Sequence, residues 1–447
     1  MKFGKIKSGF ISNDIRFNAG YFLNEDAINS RVVESNSSKC WQLFELAEVW
    51  NPPIFKRQFC SNSERAIPYC QSSDVTNALE GTDIYINKKQ AYKVGSIVEK
   101  DQILVTGFGT IGNTRLVNEL SHGSSFANNV CRIKAKENVP VGYIYAFMTS
   151  KYGKSQLNKN ASGSVVRYIE APGIKKTLIP ILPEETQQKI HNIIVDAANL
   201  RVEANKLLKE AQERIVNELN IKVQKQNYFT KISELKNSHQ KRFEAFTFKS
   251  VGSDYRKQIE KLPHHKLIDF SERIFRPGIF KRNYVAEGVD FLGGSDITSA
   301  IPVSDKKLSK ARTSNFDDLT LKEDWILVTC GGTIGTTVLV NDFLSQKLAS
   351  QHILRVIPKD IPTGYLFAFL NSEIGLKVIQ SFMYGSVIQQ IEPHHLELVP
   401  IPLLSEDLMN SAHENVMRYK NNMNSAINME LEAIDLIEKE IDQWQQL

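Results

Sequence analysis

The chain has 447 residues, 42% of them hydrophobic and 23% charged, which is the balance of a globular protein rather than a disordered or fibrous one. Lys+Arg 55 against Asp+Glu 50 gives +5, a mild excess that permits a nucleic-acid partner without demanding one, so a basic surface must be sought locally. No apolar run approaches the ~18 residues of a membrane span, the first thirty residues carry no signal-peptide core, and the five cysteines form no C-x-x-C pair, so a membrane protein, a disulfide framework and a zinc site are set aside and a cytoplasmic protein is expected.

Residues 1–40 form an N-terminal segment carrying Arg16-Phe17-Asn18-Ala19. From 41 to 183 short β-rich runs such as Ile84-Tyr85-Ile86, Ile103 to Thr106 and Val130 to Ile133 are broken by turn residues, and between Gly142 and Asn158 the apolar spacing turns helical, so this globular region is mixed α and β. At 184–227 the character changes. Glu184 and Glu185 place acid in a first helical turn, favourable against the helix dipole. Ile190, Ile193, Ala197, Leu200, Ala204, Leu207 and Ala211 then step by threes and fours, a heptad seam on an unbroken helix. At 1.5 Å per residue a helix of ~40 residues spans ~60 Å, and such a rod needs a partner. A connector, 228–265, carries Arg242-Phe243-Glu244-Ala245 and leads to a second globular region, 266–403. The tail, 404–447, is a second long helix with Ala412, Val416, Tyr419, Met423 and Ala426 on its seam, interrupted at Glu430 and resumed at Ile434, Ile437, Ile441 and Trp444.

The two globular regions repeat one another. Ile103 to Gly112, I-L-V-T-G-F-G-T-I-G, returns as I-L-V-T-C-G-G-T-I-G at Ile326 to Gly335. Ile54-Phe55-Lys56-Arg57 returns as Ile279-Phe280-Lys281-Arg282, and Ser73-Asp74 as Ser295-Asp296. Pro140-Val-Gly-Tyr143 returns as Pro362-Thr-Gly-Tyr365, and Gly163-Ser164-Val165 with Ile169-Glu170 as Gly385-Ser386-Val387 with Ile391-Glu392. A repeat of this length is a duplicated domain, not a solenoid unit. The fold expected is α+β: two repeated α/β domains separated by two long helices that form an antiparallel coiled coil, with a pseudo-twofold relation.

Catalytic chemistry is hard to find. Asn51-Pro52-Pro53-Ile54 resembles the Asn-Pro-Pro-aromatic signature of amino-methyltransferases, but Ile54 has no ring to stack on a flipped base and the second copy reads Arg276-Pro277-Gly278-Ile279. Gly109-Thr-Ile-Gly112 lacks the Lys-Ser or Lys-Thr of a phosphate loop. His264-His265 and His394-His395 are adjacent pairs whose side chains diverge, so no metal site is expected. Recognition residues remain. Lys56 and Arg57, with Lys281 and Arg282, set two cations beside an aromatic, as phosphate or base-edge contacts require; the alternative is a solvated basic turn. Gln71, Ser73 and Asp74, with Ser295 and Asp296, suit base edges and equally suit the capping of turns.

Taken together, R-F-x-A at the start of each half, the I-L-V-T-x-x-G-T-I-G and G-S-V…I-E blocks, and Pro180-Ile-Leu-Pro183-Glu-Glu ahead of a long helix resemble the specificity subunits of type I restriction-modification systems, over essentially the whole chain. The resemblance implies two target recognition domains, each reading half of a gapped asymmetric sequence in double-stranded DNA, and two helical spacers whose length sets the unread gap. It further implies a non-catalytic scaffold for phage defence, holding two modification (methyltransferase) subunits and, in the full complex, two restriction subunits. S-adenosylmethionine, ATP and Mg²⁺ would belong to those partners, with no cofactor in this chain. The rival readings are a stand-alone sequence-specific DNA-binding protein and an adenine DNA methyltransferase.

Overall fold

The computed structural model describes residues 23–162, 167–223, 231–237, 247–248, 250–385 and 387–444. The two R-F-x-A motifs, Gly163-Ser164-Val165 and Ser386 lie outside the described residues. Two compact units emerge, one built from Met1–Val202 with Ser425–Leu447 and the other from Glu203–Asn424. The division falls inside the long helices rather than at their ends, because each globular region packs against a stretch of both.

In the first unit, helix α1 (Glu25–Ser35) precedes strand β1 (Cys40–Gln42) and β2 (Ala47–Trp50). Next come β3 (Phe59–Cys60), β4 (Ala66–Cys70), β5 (Tyr85–Asn87), β6 (Gln102–Thr106), β7 (Thr114–Leu116), β8 (Ser125–Phe126) and β9 (Val130–Ala135). Helices α2 (Val141–Thr149) and α3 (Lys151–Asn160), strand β10 (Leu178–Pro180) and the long α4 (Glu184–Leu219) follow. The order β2-β9-β6-β7 makes one antiparallel sheet, and β3-β5-β4-β8 a second in which β4 and β8 run parallel. Strands β1 and β10 pair antiparallel, Cys40 opposite Pro180.

The second unit repeats the plan. Helix α5 (Val251–Ile259) leads to β11 (His264–Lys266), β12 (Ser271–Phe275), β13 (Tyr284–Val285), β14 (Val289–Leu292) and β15 (Lys307–Leu308). Strands β16 (Ile326–Thr329), β17 (Thr337–Leu339), β18 (Leu348–Ala349) and β19 (Ile353–Pro358) precede α6 (Thr363–Asn371), α7 (Glu373–Gln380), β20 (Pro400–Pro402) and the long α8 (Glu406–Gln443). Its sheets, β12-β19-β16-β17 and β13-β15-β14-β18, have the strand order of the first unit, and β11 pairs β20 as β1 pairs β10.

Helix α1, which the sequence reading left in a separate N-terminal segment, belongs to the first unit: Asn29 Nδ2 donates to Ser155 Oγ at 3.1 Å and Lys159 pairs with Glu34 at 2.8 Å. Helix α5, assigned to the connector, likewise lies on α7, so close that a Cβ at Gly252 would meet the Lys377 carbonyl.

The shared decapeptide is a structural turn between β6 and β7 and between β16 and β17. Its last two glycines take positive φ in both copies, 75° and 83° at Gly109 and Gly112, 75° and 88° at Gly332 and Gly335, where a side chain would be strained. The last residue of each strand, Thr106 or Thr329, accepts from the Asn113 or Thr336 amide at 3.1 Å through its hydroxyl oxygen.

A second repeated feature was hidden in the strand pattern. Arg132 on β9 and Arg355 on β19 are fully buried at 0% exposure. Arg132 donates to the carbonyls of Ala127 (3.1 Å), Ser96 (3.0 Å), Phe126 (2.8 Å) and Val130. Arg355 donates to Ser350 (2.9 Å), Leu319 (3.4 Å), Ile353 and Ala349. Each guanidinium thus ties the first sheet to the loops and strand of the second. Burial pushes them down to about 10 and about 9 respectively, the desolvation expected of a buried charge held by peptide carbonyls.

Each unit joins its domain to the long helices by one repeated contact. The amide of Gly142, in the first turn of α2, donates to His191 Nδ1 of α4 at 3.0 Å, and Gly364 of α6 donates to His413 Nδ1 of α8 at 2.9 Å. A Cβ at either glycine would sit 2.7–2.9 Å from the backbone of the long helix. Tyr143 Oη donates to the Pro180 carbonyl at 3.0 Å and Tyr365 Oη to that of Pro402 at 2.7 Å. The Pro-x-Gly-Tyr block is therefore a joint.

The two long helices pack as an antiparallel pair. In the first unit Ile190, Ile194 and Ala197 of α4 are buried with Ala433, Ile437 and Ile441 of α8. In the second, Ala204, Leu207, Leu208, Ala211 and Ile215 of α4 are buried, as are Ala412, Val416 and Met423 of α8; Glu203 pairs with Arg418 and Arg214 with Ser411, pairings that run in opposite senses along the helices. The seam differs from the one the spacing suggests. Ile193 and Leu200 are only half-buried and Tyr419 is half-buried, stacked on Phe367 at 6.0 Å. The buried row instead runs through Ile194, Arg201 and Leu208.

Glu430, the residue that breaks the apolar pattern, meets Arg201 on that row. Arg201 Nε and Nη2 donate to Glu430 Oε1 and Oε2, both at 3.0 Å, with side chains 9% and 7% exposed. Burial alone would lower the Arg201 pKa, but the Glu430 carboxylate outweighs it and holds the guanidinium above its ordinary range.

A candidate nucleic-acid interface

Between β2 and β3, and between β12 and β13, the chain makes a loop that has proline at its second residue and carries Ile-Phe-Lys-Arg. The phenylalanines turn inward. Phe55 packs against a cluster of Ile67, Tyr69 and Ile86, and Phe280 is buried with Phe291, Leu308 and Leu348. With the aromatic as anchor, the residues on either side are forced outward: Lys56, Arg57, Lys281 and Arg282 are all exposed.

The two arginines are held alike. The Arg57 guanidinium lies 5.5 Å from the ring centre of Tyr69 on β4, and that of Arg282 lies 5.5 Å from Phe291 on β14. A cation over an aromatic face keeps its N–H edges free to reach a bidentate acceptor while fixing its direction. In the first unit Gln90 clips the loop, donating to the Lys56 carbonyl at 2.6 Å and accepting from the Gln58 amide at 2.9 Å. In the second, Arg282 Nη2 donates to Gln351 Oε1 at 3.1 Å.

The other candidates lie on the turn that follows the same strand, starting two residues after the stacked ring. Ser73 and Gln71 are exposed, as is Ser295. Asp74 and Asp296 are committed to the turn. Asp74 accepts from the Gln71 amide at 2.7 Å and from Asn77 Nδ2 at 3.2 Å, and Asp296 accepts from the Gly293 amide at 2.8 Å. Of the two uses open to these carboxylates, capping is the one seen.

Behind each loop stands a residue that sequence reading treated only as part of a failed methyltransferase motif. Asn51 donates to the Asn128 carbonyl at 3.1 Å and accepts from the Ala171 amide at 2.9 Å, so both ends of its amide are engaged. At the matching place Arg276 donates to the Gln351 carbonyl at 2.8 Å and pairs with Glu392 at 2.7 Å, and Tyr384 donates to the same carboxylate at 3.0 Å. His352 beside them is held below the ordinary histidine range by burial, then by Arg276 and Arg282. Gln351 and His352 carry no repeated signature, which is why the sequence did not expose them. Beside the turn of the first unit, Phe108 and Tyr168 stack at 5.5 Å; the second copy has Gly331 and Gln390 there, so the two surfaces are chemically unlike.

Among the described residues no group of three or more His, Cys, Asp or Glu is placed to hold a metal ion, and no helix is long and apolar enough to cross a membrane. The rings of His394 and His395 lie 4.0 Å apart rather than diverging, and His395 Nδ1 accepts from the Glu392 amide at 3.1 Å.

Comparison with known proteins agrees with the repeat. No curated protein matches the chain. Among solved structures, it is similar to a type I restriction-modification system S subunit from M. genitalium, at 12% identity and TM-score 0.35 over 90% of this chain and 94% of that one. It is also similar to the HsdS subunit from Thermoanaerobacter tengcongensis, at 13% identity and TM-score 0.28 over 90% and 95%. The family model for the type I restriction modification DNA specificity domain matches residues 38–214 and again residues 274–407. Those two matches cover well over half of the sequence, and the chain belongs to that family.

Proposed function

We propose that this chain is the DNA-reading subunit of a type I restriction-modification complex. It binds a bipartite, gapped target in double-stranded DNA and carries two modification subunits, with restriction subunits joining in the full complex. The observation that carries the reading is the doubled specificity domain with an exposed, aromatic-backed Arg in the same loop of each copy. Two unlike readers in one chain give an asymmetric site, and linking them makes the second contact intramolecular. The exposed Lys56, Arg57, Lys281 and Arg282, with Gln71, Ser73 and Ser295, are proposed as contacts to phosphates and base edges. S-adenosylmethionine, ATP and Mg²⁺ act on the partner subunits, and this chain works without a cofactor, in the cytoplasm.

The test is to co-express the chain with its modification partner and map the methylated adenines across the host genome. A single gapped, asymmetric motif is expected. Methylation by the isolated chain, or binding of labelled S-adenosylmethionine to it, would overturn the proposal and restore the methyltransferase reading at Asn51 to Ile54.

A further inference from the structure

The loop that presents the arginines also presents an aliphatic side chain for which the fold has no use. Ile54 is 88% exposed and Ile279 is 87% exposed, at the same position of the two repeats. Lone exposed aliphatic residues are ordinary on protein surfaces. These two are not independent accidents of surface composition, because the loop is built to point them out. A proline stands one residue before Ile54 and two before Ile279, the following phenylalanine packs inward, and the next two residues are exposed cations. The result, in both units, is an apolar tip with positive charge at its root.

We infer that Ile54 and Ile279 are contact residues that enter a groove of the duplex while Lys56, Arg57, Lys281 and Arg282 hold the flanking phosphates. The inference rests on the DNA-reading function proposed above. A β-branched aliphatic group offers no hydrogen bond, so it recognises apolar surface, which in a duplex is the 5-methyl group of thymine in the major groove or the ring faces of a base step opened from the minor groove. The cations set the choice of partner. An apolar tip ringed by Lys and Arg fits a polyanion with apolar surface recessed between its charges, whereas the centre of a protein interface is depleted in lysine.

The experiment uses the complex of this chain with its modification subunits and a duplex carrying the mapped methylation motif, beside a random-sequence duplex. Ile54→Ser and Ile279→Ser should each weaken binding to the motif about tenfold, with the salt slope and random-duplex affinity unchanged, because no phosphate contact is lost. Ile54→Leu should restore most of the affinity. Replacing thymine by uracil in one half-site should reproduce the loss if the methyl group is the ligand. A 2-aminopurine reporter that brightens with wild-type protein and not with the serine variant would identify the opened step instead. Both serine variants binding the motif within twofold of wild type would overturn the inference while leaving DNA reading intact. Loss of modification subunits from the serine variants, with DNA binding unchanged, would also overturn it. Failure of the wild-type complex to prefer the motif duplex would sink the functional reading itself. Thermal melting of each variant serves as the control for folding.

Discussion

Replacing Glu430 by alanine leaves the Arg201 guanidinium buried between two helices with its carboxylate partner gone. Removing one member of a buried ion pair costs about 3–5 kcal/mol, whereas replacing both by apolar residues of similar volume is neutral or stabilising by about 1–4 kcal/mol. Glu430→Ala and Arg201→Ala should each therefore lower the unfolding free energy by about 3–5 kcal/mol, and Arg201→Met with Glu430→Leu should recover wild-type stability or exceed it. The pair would then contribute to specificity of register rather than to stability. Shifting α8 along α4 by one heptad, about 10 Å, would set Arg201 against an apolar seam residue such as Ile437 and strand two charges at once. The assay is urea unfolding of the four proteins, followed by disulfide trapping between cysteines placed on the two helices. The double variant should trap several registers and the wild type one. Single variants within 0.5 kcal/mol of wild type, or a double variant as unstable as the sum of the singles, would refute the argument.

Other consequences are as direct. Arg132→Met and Arg355→Met remove donors from four carbonyls each and should destabilise their own unit by about 2–4 kcal/mol, seen by hydrogen exchange as loss of protection confined to that unit. Gly142→Ala and Gly364→Ala press a methyl group onto the backbone of the long helix and should cost about 1–3 kcal/mol, read by thermal melting. His191 must be neutral to accept from Gly142, and burial lowers its pKa despite the opposing charge of Asp101. Its contribution is therefore complete above the unfolded value of about 6.5 and lost as the pH falls through the folded value; a pH titration of unfolding should show this slope, and His191→Gln should flatten it. Arg57→Ala and Arg282→Ala should each weaken DNA binding and reduce the salt slope by about one, and unchanged affinity across a salt series would remove them from the interface.

The duplicated fold and the long helices were legible because both are written in periodicity, one over half the chain and one over seven residues. What escaped depends on partners that leave no trace in sequence. Arg132 sits in Val130-Cys-Arg-Ile133, which reads as an ordinary strand, since the carbonyls it serves belong to every residue alike. The phase of the α4 seam was ambiguous because Ile193-Ile194 and Leu207-Leu208 are apolar doublets; the deciding residue is Arg201, whose place on the buried row makes sense only with Glu430 opposite. In the candidate interface, the repeated Lys-Arg was visible, and so was the choice facing Asp74 and Asp296. Gln351 and His352 were not, because they differ between copies, as residues that set two unlike surfaces must.

Ala433, Ile437 and Ile441 share one hydrophobic cluster with Val33, Leu43 and Ile103. The unit whose globular part is synthesised earlier thus waits for residues 433–441, which are made long after it. Until then its seam is open to solvent and to other nascent chains, a state in which exposed apolar surface favours aggregation. A stop codon placed ahead of Ala433 would damage the unit synthesised earlier, and the missing helix supplied separately as a peptide should mend it.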